Sequence, residues 1–474
     1  MTAGGSRSLR RSRETLDVAA AQAQVCVHSN HATNRTVMTP SPAEREPARE
    51  YAASRRDVRF VLTMARALHT AGTTAQGLED SLALIARGLG ITHAQFFSTP
   101  TSIMCAFGEL ERQETHLLRL APAGPNIGRL SQLDRVVSEV LDAKITTAEA
   151  LQRVERIETA PSPFGVLTTI LAFGLGSAGI ARFLGGGVKE IVVGAMLGLI
   201  TGSLDAAAQR RPSLERVYEP IAAFIAALLA TSLAAILGPY APSTAILAGI
   251  IVLLPGLVLT NAVRELAERH LASGTARLAG ATMILLGLIF GVALGDRTAV
   301  LIFGSVPELA PLALPWWTLG IAIVAAGASF VVILRAEPGD TGWIVGACAI
   351  SYLLAGTSVR MAGPEIGLFV AALSDGLAAA LWGRWRDRPQ SVVLVPAILM
   401  LVPGSVGFRS LNSLLEQNVI AGVQTAFAMI LAATALSAGL LVATSIGEGW
   451  RRMKTRPRVA IRTDEHRALA LPPL

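Results

Sequence analysis

Two stretches decide how this chain is read: Ile250-Ile-Val-Leu-Leu-Pro-Gly-Leu-Val258 and Ile398-Leu-Met-Leu-Val-Pro-Gly-Ser-Val406. They align without a gap at an offset of 148 positions, which also matches Leu266 with Leu414 and Gly274 with Gly422. Each places Pro-Gly inside a long apolar run. Pro has no N–H and clashes with the preceding helical turn, and Gly weakens the helix locally. Both runs are therefore expected to kink or break at Pro255-Gly256 and Pro403-Gly404. Inside a bilayer, freed backbone groups are tolerated only where they are buried in protein or line a cavity. Interrupted segments at matching positions of two halves are a sequence pointer to a transport site. The alternative is a pair of packing kinks, but kinks alone need not recur at one register.

Working outward, the chain from residue 164 onward is a series of apolar stretches. Ten have about the 17–25 residues that a bilayer core requires: 164–184, 189–208, 217–237, 243–262, 278–295, 312–334, 342–360, 365–382, 391–408 and 420–446. The short run Val300–Val306 reads as a loop or interfacial piece. Composition agrees: of 474 residues 52% are hydrophobic and only 16% charged, with mean hydropathy +0.51. This excludes a soluble enzyme, a coiled coil and a disulfide scaffold. The net charge of +7 is almost all Arg, since Lys144, Lys189 and Lys454 are the only lysines. It reads as an orientation signal rather than a nucleic-acid surface. With the N-terminus inside, inner loops hold ten cations (Arg210, Arg211, Arg216, Arg264, Arg269, Arg277, Arg335, Arg384, Arg386, Arg388) and outer loops five (Arg182, Lys189, Arg297, Arg360, Arg409). The positive-inside rule thus places both termini in the cytoplasm. Five spans per half is an odd number, so the halves are expected to be inverted repeats.

Residues 1–54 read as a disordered, Arg-rich tail, with a downstream start such as Met38 left open. Residues 55–160 read as a small cytoplasmic α+β domain. Val58, Val61, Leu62, Ala65 and Leu68 share one helical face, as do Leu78, Leu82, Ile85, Ala86 and Leu89. Short β-prone runs follow at 95–97, 103–107 and 116–120. Thr146 and Glu149 form a capping box. The fold expected is mainly α: this domain, a five-helix half over 164–297, a second over 312–447, and a basic cytoplasmic tail over 448–474.

Around the first break, Val252–Leu266 with His270, Gly274 and Ala276-Arg277 resembles the first-half signature of the threonine/serine exporter family. Pro396–Gly404 resembles its second-half signature, and Leu68–Leu89 with Phe96–Phe107 resembles its cytoplasmic domain. The resemblance covers about 58–447. It implies export of L-threonine and L-serine across the plasma membrane, driven by the proton motive force. Relatives often carry a Glu shortly after the Gly of the first helical turn; here Gly72 is followed by Thr73 and Thr74.

An amino acid brings a carboxylate and an ammonium. A helix N-terminus at a break suits the first and free carbonyls the second. The expected substrate-binding set is Pro255, Gly256, Thr260 and Asn261 in the first half and Pro403, Gly404, Ser405 and Asn412 in the second. Arg264 and Arg409 read as span ends. Proton coupling needs a titratable group at depth. Asp375, mid-span, and Asp205, near an inner end, are the candidates; a helix–helix hydrogen bond or an Arg partner is the alternative role for Asp375. Glu190 and Glu365 read as solvated ends. His and Cys spacing suggests no metal and no cofactor. Expected partners are the substrates, protons and the lipid bilayer, without nucleic acid; a homo-oligomer is compatible with the sequence. Two rival classes remain, a membrane-embedded enzyme, for which no acid/base or nucleophile set converges, and a passive channel.

Overall fold

The computed structural model describes residues 42–304, 307, 309–401, 404, 406, 408 and 419–454. Met1–Ser54 form one unit and the rest of the chain another. Of the first unit only the start of helix α1 (Pro42–Thr70) is described, so residues 42–54 are helical where a tail was expected.

The N-terminal domain contains α1, α2 (Ala75–Gly88), strands β1 (Ala94–Thr99), β2 (Ser102–Phe107) and β3 (Glu114–Arg119), then α3 (Ile127–Leu141) and α4 (Thr147–Thr159). The strands form an antiparallel meander in the order β1-β2-β3. Its core joins Phe60, Met64 and Leu68 of α1 to Leu82 and Ile85 of α2, Ile103 and Cys105 of β2, and Leu133 and Val136 of α3. Burial pushes the Cys105 thiol up to about 12, which makes it an inert core residue. The capping box forms: the Glu149 carboxylate accepts from Thr146 N at 3.0 Å, and Thr146 Oγ1 accepts from Glu149 N at 3.3 Å.

The remainder is a polytopic membrane body. Among the described residues seven helices are long and apolar enough to cross a bilayer. They include α5 (Val166–Phe183), α6 (Val188–Ala208), α7 (Tyr218–Leu237) and, after a broken pair α8 (Pro242–Gly249) and α9 (Gly256–Ala267), α10 (Leu271–Phe303). An eighth span results if α8 and α9 count as one. After the shorter apolar α11 (Thr318–Ile333) come the spanning α12 (Thr341–Ala362) and α13 (Pro364–Arg386). Then follow the short α14 (Ser391–Leu401) and the last span, within α15 (Val419–Lys454). Each predicted apolar run therefore has a helix, but α11 and α14 fall short of a full crossing among the described residues.

Two boundaries differ from expectation. Helix α10 runs 33 residues, from 271 to 303, into the start of the Val300–Val306 segment expected to be a loop or interfacial piece. Asp296 and Arg297 lower the local hydropathy without breaking the backbone, and the stop comes only at Gly304, with φ +78°. Helix α15 likewise continues to Lys454, into the expected tail.

The same pairings recur in the two halves: α7 packs along α10, and α13 along α15. Glycine permits both. A Cβ on Gly291 would lie 2.3 Å from Pro220 O, and one on Gly439 would lie 2.5 Å from Phe369 O. These two glycines are 148 positions apart, the offset of the Pro-Gly pairs. Close backbone approach through small residues is how helices associate without a hydrophobic drive in lipid. We expect Gly291→Leu and Gly439→Leu each to destabilise the protein by about 1–3 kcal/mol through overpacking. Gly280→Leu, which faces open space, should leave it unchanged; thermal unfolding in detergent followed by size exclusion tests this.

Candidate functional site

The first Pro-Gly pair does break its helix. Helix α8 stops at Gly249, one 3-10 turn covers Ile251–Leu253, and α9 restarts at Gly256, bent by 52°. Leu254 is extended (ψ 124°), and Pro255 takes φ −78°, ψ 39° as the residue before α9. Leu259 N already bonds Pro255 O, so the N–H groups of Leu257 and Val258 belong to the first turn, which has no intrahelical acceptor. They carry the positive end of the α9 dipole.

Gly404 sits against this break. A Cβ there would lie 3.3 Å from Gly256 Cα and 3.4 Å from Leu254 Cβ. The sequence-matched segments thus meet across the body. Beside them is a cavity of about 430 Å³ whose wall includes Leu254 to Val258 and Gly404. Opposite these lie Gly176 and Phe183 of α5, Ser329 and Phe330 of α11, Tyr352 of α12, and Leu399 and Met400 of α14. That volume falls within the roughly 300–1,000 Å³ typical of small-molecule sites. Tyr352 stacks on Phe183 with ring centroids 5.0 Å apart. Among the described residues no charged side chain lines the cavity. Its polarity comes from the Tyr352 hydroxyl and from the broken backbone; Ser329 is 0% exposed and its hydroxyl donates to Ala326 O at 2.7 Å.

The predicted residues divide accordingly. Pro255, Gly256 and Gly404 line the cavity. Thr260 does not: it is 1% exposed, its hydroxyl donates to Gly256 O at 3.1 Å, and its carbonyl accepts from Ser437 Oγ at 3.3 Å. Asn261 is half-buried on α9, outside the lining set. Arg264 pairs with Glu268 at 2.9 Å. Pro403, Ser405, Asn412 and Arg409 lie outside the described residues.

Asp375 is 5% exposed within α13 and accepts from Ser351 Oγ at 2.7 Å. Ser351 Oγ is also 3.0 Å from Ala397 O, so one hydroxyl proton is shared between α13 and α14. Asp375 does not line the cavity, but its partners adjoin it: Tyr352 follows Ser351, and Leu399 lies two residues beyond Ala397. Asp205, in the last turns of α6, accepts from Gln209 Nε2 at 2.6 Å, away from the cavity.

Among the described residues, sequence reasoning missed the burial of three carboxylates: Glu190, Glu265, and Asp340, which pairs with Arg388. Glu190 is 3% exposed rather than a solvated end. Its oxygens accept from Gly187 N and Ala241 N, both at 2.9 Å, so it holds the starts of α6 and α8 together. Glu365 is exposed, as expected. Glu265, at the end of α9, is 0% exposed and accepts from Ala75 N at 2.9 Å and Arg277 Nε at 3.0 Å. Tyr352 had a signal, the hydroxyl pair Ser351-Tyr352 within an apolar run. For the burial of Glu190 there was none, since its second partner, Ala241 N, lies 51 residues away.

A helix pair broken at mid-body, with its free backbone ends on a cavity, defines a membrane transporter rather than a scaffold. Sequence comparison agrees. The threonine/serine exporter profile matches residues 59–298, and a second profile of the same exporter matches 318–446. The chain belongs to the threonine/serine exporter family, and so to the transporters rather than the enzymes. It is 24% identical to a threonine/serine exporter of Corynebacterium glutamicum over 79% of this chain and 78% of that protein. It is also 24% identical to pheromone-regulated membrane protein 10 of Candida albicans, over 78% of this chain and 34% of that protein. The corresponding figures for the protein of that name in Debaryomyces hansenii are 28%, 50% and 24%. The chain thus spans only about a third or less of the length of these fungal relatives. No solved structure matches.

We expect Glu190→Ala to destabilise the protein by about 1–3 kcal/mol for each N–H left unpaired, read as a lower thermal midpoint in detergent. Glu365→Ala should leave it unchanged.

Proposed function

We propose that this chain exports L-threonine and L-serine across the plasma membrane, driven by the proton motive force. The observation that carries the reading is the meeting of Gly404 with the Leu254-Pro255-Gly256 break on a cavity without charged walls. A zwitterion there would have its carboxylate met by the N–H groups of Leu257 and Val258. Its ammonium would be met by carbonyls of the 3-10 turn, and its hydroxyl by Tyr352. Thr260 and Asn261 then support the half-helix rather than touch substrate. Pro403, Ser405 and Asn412 are assigned to the second half of the site by their position around the second Pro-Gly pair alone.

Ten crossings in two inverted five-helix halves fit the positions of the apolar helices, if α8–α9 and α14 with its continuation each cross once. In that arrangement both termini and the domain over 55–160 are cytoplasmic. Contacts between the domain and residues 265–277 and 334–337 are consistent with it, since these connections fall on the Arg-rich side. Asp375 is the coupling acid: its bond to Ser351, between Tyr352 and the α14 backbone, lets protonation change the packing of the cavity wall. Asp205 is the second candidate, at the cytoplasmic end of α6. Rocking of one half against the other would expose the cavity alternately to the two sides.

The test is counterflow of labelled threonine in proteoliposomes, with and without an imposed proton gradient. We expect exchange in both conditions and accumulation only with the gradient. Asp375→Asn should keep exchange while gradient-driven accumulation falls by about tenfold or more. Absence of uptake would overturn the transport reading, and uptake indifferent to the gradient would make the protein a channel.

A further inference from the structure

The N-terminal domain touches both the cavity and the helix that shapes it. Pro125, in the loop before α3, is part of the cavity wall, beside Leu334. This loop is braced inside its own domain. Gly72 has φ +85°, and a Cβ on it would lie 2.7 Å from Pro125 Cα. Asn126 N donates to Ala71 O at 2.9 Å. The loop must therefore move with the domain.

The domain is joined to the membrane body at two places. At one, Ile127 N donates to Leu334 O at 3.0 Å, and Arg135 pairs with Glu337 at 3.1 Å. At the other, Glu265 accepts from Ala75 N, the first residue of α2, and from Arg277. Glu265 lies on α9, whose opposite end is the Gly256 break. Twelve helical residues make a stiff rod of about 18 Å at 1.5 Å per residue. Displacing the domain would thus pull on the half-helix at the cavity. The carboxylate is favourably placed at the α2 N-terminus. Its net contribution is small, because a buried ion pair gives back in desolvation much of what it gains. Such a contact can open, whereas an apolar weld of equal area would resist.

Resting on the transport reading above, we propose that the N-terminal domain is the gate on its own side of the path: the Pro125 loop closes the cavity, and the Glu265 carboxylate latches the domain to the half-helix α9. In the docked state the path is shut on that side; release of the Glu265 contacts opens it.

The experiment reads accessibility directly. Met400→Cys, on the cavity wall, is placed in a full-length chain with Cys26, Cys105 and Cys348 replaced by Ala. A membrane-impermeant thiol reagent is applied from the side of the N-terminal domain. We expect Glu265→Ala to raise the labelling rate by about fivefold or more, and Glu265→Gln, which keeps an acceptor for Ala75 N but loses the charge facing Arg277, to raise it less. Equal rates in parent and both variants, each monodisperse in detergent, overturn the gate. A second arm does not depend on removing the Glu265 carboxylate. Ile127→Cys with Leu334→Cys, oxidised to a disulfide, should abolish threonine counterflow, and reductant should restore it. Full counterflow in the oxidised state also overturns the gate. If the parent shows no counterflow at all, the transport reading fails, and labelling alone decides on the gate.

Discussion

A helix that stops inside a hydrocarbon layer leaves N–H and C=O groups that water cannot reach, and the cost of each is several kcal/mol unless protein covers it. The break at Leu254-Pro255-Gly256 imposes that demand on its whole surroundings. It is met by converging elements. Gly404 comes in close, where a Cβ would be crowded at 3.3 Å from Gly256 Cα. The remaining wall is supplied by α5, α11, α12 and α14, and by one proline of the N-terminal domain. The cavity is mostly apolar and carries no charged wall among the described residues; its polar points are the broken backbone and the Tyr352 hydroxyl.

Buried carboxylates hold this arrangement from outside the cavity. Glu190 binds the N–H groups at the starts of α6 and α8, upstream of the break. Glu265 does the same for α2, downstream of it. Each uses an anion to satisfy the positive end of a helix, and each ties an element of the broken pair to something else. The breaks would otherwise be free to flex. With both ends anchored, motion is confined to the positions that the anchors permit.

What was legible in the sequence follows from how local its cause is. Proline's missing donor acts on its own turn, so the break was visible, as were the strands and the Thr146 box. The internal offset was legible as well, and the packing of Gly291 and Gly439 at that same offset strengthens it. The end of α10 was misjudged because hydropathy marks where a chain becomes polar, and Asp296 bonds Thr231 of α7 instead of ending its helix. Thr260 and Asn261 were placed in the site by proximity along the chain. One helical turn, however, rotated them away from the cavity, and register of that kind depends on the packing of α9 against α15. The burial of Glu190 and Glu265 was beyond reach because each also holds a backbone N–H of a distant segment, Ala241 N and Ala75 N, which carries no residue-type signal.

The connection between α10 and α11 has a further consequence. Arg182, at the end of α5, donates to Thr318 Oγ1 at 2.7 Å and to Leu314 O at 3.3 Å. The two membrane halves are therefore fastened by side chains right beside the segment that joins them covalently. The covalent link then serves chiefly as a tether. It fixes a one-to-one ratio of the halves and keeps each at a high effective concentration for the other. Their mutual recognition is written in the contacts on either side, as it would have to be in an assembly of two separate chains.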